Sequence, residues 1–183
     1  MPLSPFIIKE RINMDLRQFI RDIPDFPKKG IIFKDITPLL KDSKAFQTSI
    51  TELAAIYQNK KIDVIIAMES RGFIFGGALA CELGCGFVPV RKKGKLPYKT
   101  ASVTYDLEYG TDVLEIHEDA IAENANVLII DDVLATGGTA QGVVKLVQMQ
   151  NANIIGLAFV IELAFLKGRD RLNGFEVKSL ITY

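Results

Sequence analysis

The stretch Val127–Ala140 reads VLIIDDVLATGGTA, and its order of parts fixes the kind of fold that contains it. Four apolar residues, Val127 to Ile130, form a run short enough for a fully buried strand. Two acids, Asp131 and Asp132, close it. A small Gly-rich turn follows, and a helical pattern starts at Ala140 and runs to Met149. Glycines let backbone N–H groups come close to an anion. A helix start adds unsatisfied N–H donors and a partial positive charge. With hydroxyls from Thr136 and Thr139, the segment Ala135, Thr136, Gly137, Gly138, Thr139 suits a dianionic monophosphate. Asp131 and Asp132 sit where a sugar diol could donate hydrogen bonds to them. No Lys follows the glycines, so this is not the triphosphate loop GxxxxGK[ST], and it is not the dinucleotide pattern GxGxxG either.

The rest of the chain repeats the strand-then-helix alternation. Asn13 to Ile23 reads as a short helix stopped by Pro24, Ile31 to Asp35 as a strand, and Ser43 to Tyr57 as a helix. Ile62 to Ala67 is a buried strand, Gly72 to Leu83 a helix rich in small residues, and Phe87 to Val90 another strand. Arg91 to Ala101 is basic and reads as flexible. Val103 to Leu107 and Val113 to Ile116 form an extended ribbon turning near Gly110, and Ile154 to Ile161 and Val177 to Ile181 close the set. This alternation predicts an α/β fold, a mainly parallel central sheet flanked by helices. Ligands of such sheets bind outside the carboxyl ends of the strands, which here means just after Ala67, Val90 and Ile130. Those positions introduce Ser70 and Arg71, and Arg91, Lys92 and Lys95, beside the acid pair.

Composition narrows the function classes. The chain has 183 residues, with 22 basic and 22 acidic side chains and a formal net charge of zero. That is room for one domain, 1–183, and no basic surface for nucleic acid or a membrane. The two cysteines, Cys81 and Cys85, make no disulfide framework, and a metal site would need more ligands than these and the single His117. Residues Met1 to Ile8 lack the basic and long apolar regions of a signal peptide, and no window has the length of a membrane span. The expectation is a cytoplasmic protein.

The Val127–Ala140 stretch resembles the phosphoribosyl pyrophosphate motif of the type I phosphoribosyltransferases. Four further blocks resemble, in order, the adenine-specific branch of that family: FPKKGIIFKDITPLL at 26–40, ESRGF at 69–73, RKKGKLP at 91–97 and LEYG at 107–110. The resemblance spans roughly residues 14 to 183. It implies that Ala135 to Thr139 hold the 5-phosphate of phosphoribosyl pyrophosphate and that Asp131 and Asp132 face its ribose hydroxyls. It implies a small N-terminal hood, about 24–40, in which Phe33 stacks on adenine with Val133 on the other face and main-chain groups around Ile32 and Lys34 bond the purine edge. Ser70 and Arg71 would bind pyrophosphate, with added charge from Arg91, Lys92 and Lys95. Glu108 would handle the adenine proton, Tyr109 would help close a mobile loop at about 93–109, and Arg71 would act with Glu108 in catalysis. Mg²⁺ would arrive mainly on substrate oxygens, with no dedicated protein metal site.

The implied reaction joins adenine to phosphoribosyl pyrophosphate, giving AMP and pyrophosphate, in a homodimer with the Gly72 to Leu83 region at its interface. Two other readings share the motif. One is a phosphoribosyltransferase for another base, against which the hood block argues. The other is a non-catalytic sensor of phosphoribosyl pyrophosphate, against which stand Glu108 and the loop lysines. Glu69 and Lys34 depart from the residues frequent in the family, Asp and Arg, and the first dozen residues form an extension with no derivable role.

Overall fold

A computed structural model of the chain describes residues 14–106 and 110–183. The chain divides into two compact units, Met1–Ser49 and Ile50–Tyr183.

In the first unit, strands β1 (Arg21–Pro24) and β2 (Ile32–Asp35) pair antiparallel, and the short helix α1 (Thr37–Lys41) follows. The helix expected up to Ile23 is replaced by a 3-10 turn, Leu16–Phe19, and then by β1. The physical reason is local and tertiary together. The Asp15 carboxylate accepts from the Arg17 amide at 3.0 Å, which caps a single turn. The next residues then gain a ladder with β2 and a fork from Arg21 onto the buried Asp35, Nε at 3.0 Å and Nη2 at 2.6 Å from Oδ2. The helix α2 (Ser43–Tyr57) begins as expected, with Asp42 Oδ1 accepting from the amides of Lys44 and Ala45.

The second unit is built on a seven-stranded sheet. Its strands are β3 (Val64–Met68), β4 (Gly86–Lys92), β5 (Thr100–Asp106), β6 (Thr111–His117), β7 (Asn126–Leu134), β8 (Asn153–Glu162) and β9 (Val177–Thr182). The spatial order is β5-β6-β4-β3-β7-β8-β9. Five strands, β4 to β9 across β3, β7 and β8, run parallel, and β5 and β6 add an antiparallel ribbon at one edge. The fold class expected from the alternation is therefore the fold observed.

Side chains alternate across the strands. Val64, Ile66 and Met68 of β3 and Val127 and Ile129 of β7 join one core with Val143, Val144, Leu146 and Val147 of helix α4 (Gly138–Met149). Gly76 of helix α3 (Gly72–Leu83) lies instead against Ala67 and Ile130, the alternate positions. Both faces are thus covered, which is why β3 and residues 127–130 of β7 are apolar without interruption. Burial of side chains such as Leu128, Ile129 and Phe159 contributes roughly 1.5–3 kcal/mol each. Cys81 is exposed and Cys85 half-buried, both as free thiols. Among the described residues no helix is long and apolar enough to cross a membrane.

Candidate active site

The parallel strands β3, β4 and β7 deliver three segments to one end of the sheet. The first is the turn after β7. Gly137 carries φ +80°, a left-handed conformation, and precedes the first residue of α4. Its carbonyl accepts from the Gln141 amide at 2.9 Å, so the loop enters the helix without a break. Gly137 and Gly138 are buried, while Ala135, Thr136 and Thr139 are half-buried. The loop thus presents a helix start of a 12-residue helix, backbone amides and two hydroxyls at a strand end. That combination can hold an anion without any lysine.

The turn is also pressed from behind. A Cβ on Gly137 would stand 2.3 Å from the Gly168 carbonyl oxygen, and a Cβ on Gly168 would stand 2.1 Å from the Ala135 carbonyl oxygen. Two backbones meet here at a distance only glycine permits. On another side, the phenol of the buried Tyr105 interacts with Thr139 and with Asp112. Burial and the Asp112 charge push that phenol up.

The second segment is the acid pair with the turn after β3. Asp131 Oδ1 accepts from the Asp132 amide at 2.9 Å. The same oxygen would be 2.7 Å from a Cβ on Gly72, the first residue of α3, so the carboxylate sits against a helix N-terminus. Arg71 Nε lies 2.6 Å from Asp132 Oδ2, an ion pair that falls short of hydrogen-bond geometry. Burial raises both carboxyls above their usual range. The Asp132 charge raises Asp131 further, and Arg71 only partly offsets burial at Asp132. The pair therefore holds protons more tightly than free aspartates and gains from donors or a cation. Ser70 is exposed in the same turn, where its carbonyl accepts from the Phe73 amide at 3.3 Å.

The third segment is the basic run after β4. Neighbouring residues on a strand point to opposite faces, and the run separates accordingly. Arg91 Nε and Lys95 Nζ both reach Glu69, at 2.9 and 2.7 Å. Burial alone would raise the Glu69 carboxyl, but these two partners bring it below its ordinary value. Lys92 turns away to Asp112 at 2.9 Å, and so joins the Tyr105 and Thr139 side. The stretch 91–95 is hydrogen-bonded. Lys93 N donates to the Val113 carbonyl, Gly94 N to the buried Glu115 and Lys95 N to the Lys92 carbonyl. Beyond it, 100–106 is ribbon strand β5. Glu108 and Tyr109 lie outside the described residues.

The first unit carries Ile32, Phe33 and Lys34 on β2. Ile32 is 55% exposed, and the Phe33 ring meets Phe26 edge-on with centroids 5.2 Å apart. Lys34 Nζ is held by Asp22 at 2.7 Å. Its side chain is thus engaged within the unit. In the second unit, Val133 is half-buried on β7, opposite Ile161 of β8.

Comparison with known proteins bears on this arrangement. Residues 39–180 match the phosphoribosyl transferase domain. The adenine phosphoribosyltransferase of Thermotoga neapolitana is 57% identical over 170 residues, covering 93% of this chain and all of the relative. The chain belongs to the adenine phosphoribosyltransferases. The crystal structure of the Thermoanaerobacter pseudethanolicus adenine phosphoribosyltransferase superposes with a TM-score of 0.90 at 55% identity, covering 92% of this chain and 98% of that one. That of Saccharomyces cerevisiae, complexed with an imino-altritol 1,6-bisphosphate and adenine, gives a TM-score of 0.85 at 45% identity, covering 90% and 96%.

Several residues that shape the site carry little signal in the sequence. In the sequence Glu69 is one member of the 69–73 block and a departure from its usual Asp, yet in the structure it gathers Arg91 and Lys95. Its place two residues before Arg71, at a strand end, was the available signal. Asp112 and Glu115 anchor Lys92 and Gly94 from β6, a pairing visible only once the ribbon register is known. Gly168 and Tyr105 left no local signal, because their importance lies in what they meet across the fold.

Proposed function

We infer that this chain transfers the phosphoribosyl group of phosphoribosyl pyrophosphate to adenine, releasing pyrophosphate and forming AMP. The observation that carries this is the buried Gly137–Gly138 turn at the start of α4, which follows the half-buried Asp131 and the buried Asp132 with its Arg71 partner. In this reading a monophosphate sits on the turn and the ribose diol donates to the acids. The C1–O bond to pyrophosphate breaks as adenine N9 bonds C1. The residues then have separate tasks. Arg71, Arg91 and Lys95 stabilise the leaving pyrophosphate once they exchange their carboxylate partners for it. Ala135 to Thr139 fix the sugar so that C1 faces the base. Phe33 stacks on the purine, and backbone groups at Ile32 and Lys34 read its edge, a choice that rejects bases leaving those groups unpaired. Glu108 takes or returns the adenine proton, and the 93–109 segment with Tyr109 excludes water. Ser70 adds a hydroxyl for the pyrophosphate, and Lys92 lends charge from the cradle side.

Mg²⁺ fits this donor set as a guest of the substrate. Among the described residues no three metal-ligating side chains cluster, yet Asp131 and Asp132 are carboxylates pushed toward protonation, which a cation on the diol would relieve. Bound there, it would supply charge neutralisation to the diol and pyrophosphate oxygens. A cytoplasmic homodimer belongs to the same proposal. Ile74 of α3 and Phe87 of β4, 42% and 36% exposed, are the apolar side chains that such an interface would cover.

The test is nucleotide formation from phosphoribosyl pyrophosphate and Mg²⁺ with adenine, hypoxanthine, guanine or uracil. AMP from adenine alone supports the reading. Turnover of another base moves the error to the hood. Tight binding of phosphoribosyl pyrophosphate without turnover of any base would favour the sensor.

A further inference from the structure

The phosphate-side turn does not stand alone. The segment after β8 returns along it. Leu163 N donates to the carbonyl of Leu134, the last residue of β7, at 2.9 Å. Lys167 then takes a left-handed φ of +54°, and this turn drives the buried Gly168 against the backbone of Ala135 and Gly137. What holds Gly168 in place is its neighbour. Arg169 Nε donates to Glu162 Oε1 at 2.9 Å, Nη2 donates to Oε2, and Nη1 donates to the Val177 carbonyl at 2.7 Å. Ser179 Oγ donates to Glu162 Oε2 at 2.8 Å. One guanidinium therefore ties the segment to the ends of both β8 and β9. Glu162 is buried at 5% exposure, and the Arg169 fork holds its carboxyl below the usual range despite that burial.

We propose that Gly168 and the Arg169–Glu162 clamp are positioning residues for the 5-phosphate, a backstop that sets the height of the Ala135–Gly137 backbone. The proposal rests on the reading that Ala135 to Thr139 hold that phosphate. The clamp touches no substrate in it. It works by leaving the loop no room to recede, so that the amides meet a phosphate in place. Gly168 separates this role from backbone strain. Unlike Gly137 its φ lies outside the left-handed region, so alanine at 168 costs no conformational penalty and acts only through the 2.1 Å approach to the Ala135 carbonyl.

The experiment uses the full chain and measures steady-state KM for each substrate, with calorimetric binding of ribose 5-phosphate and of pyrophosphate as separate probes. Gly168→Ala should raise KM for phosphoribosyl pyrophosphate at least about tenfold and weaken ribose 5-phosphate similarly. KM for adenine and the affinity for pyrophosphate should stay within about twofold, since neither ligand uses this turn. Arg169→Ala should show the same split in milder form, and Arg169→Lys, which keeps the charge but loses the fork, should fall between it and the parent. If Gly168→Ala does not fold, the Arg169 pair decides alone. Unchanged ribose 5-phosphate binding in a folded Gly168→Ala or Arg169→Ala protein overturns the proposal, as does equal weakening of all four ligand measures. Gly137→Ala distinguishes the two levels. If it weakens ribose 5-phosphate while the backstop variants do not, only the backstop is wrong. If even Gly137→Ala leaves that binding intact, the phosphate assignment itself fails.

Discussion

The two sides of this site that we propose to meet anions are built in opposite ways. The turn at Ala135–Thr139 is made of backbone, locked between the start of α4 and the Gly168 segment. The side formed by Glu69, Arg71, Arg91 and Lys95 is made of side chains, each already engaged with an opposite charge. A backbone cradle has its geometry settled before a ligand arrives and has little to reorganise. A self-neutralised cluster must trade partners, so it responds to the ligand. The difference suits a substrate whose one phosphate stays while the other, pyrophosphate, leaves.

The largest effect should come from the exchangeable side. Arg71→Ala removes the cation that faces the buried Asp132 and, in the proposed reaction, the leaving group. We expect kcat to fall on the order of 10²–10³-fold, as when a preorganised charge stabiliser is deleted. A loss below tenfold in rapid-quench measurements would assign that work to Arg91 and Lys95. Next in size is Gly137→Ala, which combines a strained φ with a 2.3 Å approach to Gly168. It should cost about 100-fold in kcat/KM for phosphoribosyl pyrophosphate, with KM for adenine unchanged. An effect confined to thermal stability would mean that the turn is not a ligand cradle.

Glu69→Gln sharpens the comparison from the other direction. Freed of Glu69, Arg91 and Lys95 should bind pyrophosphate several-fold more tightly at low salt, and less so at high salt as screening sets in. Weaker binding by calorimetry would show instead that Glu69 aims the cations rather than storing them.

The smallest effect concerns stability. The Asp131 and Asp132 carboxyls lie above their usual range, so once pH passes about 4 the folded protein holds more protons than the unfolded chain. Stability from this pair is complete at lower pH and declines as pH rises through the folded-state values. Asp131→Asn should therefore raise Tm at neutral pH by about 2 °C or more, corresponding to about 0.5–1 kcal/mol for a chain of this size, while activity falls. The gain should shrink toward pH 4. A variant less stable at every pH in scanning calorimetry would contradict the carboxyl shifts.

The same division explains what the sequence disclosed. The strand-acid-glycine-helix order of Val127 to Ala140 depends on local chemistry, and it located both the central strand β7 and the glycine turn at the start of α4. The charged side was legible only as composition. That Arg91 and Lys92 face different partners follows from strand alternation, but the identity of those partners, Glu69 and Asp112, depends on which strands neighbour β4. The helix expected up to Ile23 failed for a related reason. Arg21 to Pro24 has a better partner in β2 and Asp35 than in its own continuation as a helix, and no local pattern reveals that partner. Gly168 is the extreme case, since nothing around Lys167–Arg169 points to residue 137.

One pair of crystal structures, without ligand and with AMP plus pyrophosphate and Mg²⁺, tests the central claim most directly. The account predicts the AMP phosphate on the amides of Gly137 to Thr139, with that backbone displaced by no more than about 0.5 Å, the ribose hydroxyls on Asp131 and Asp132, and Arg91 and Lys95 turned from Glu69 to pyrophosphate. A phosphate seated elsewhere, or a cradle that moves while the Glu69 pairs stay closed, would contradict it.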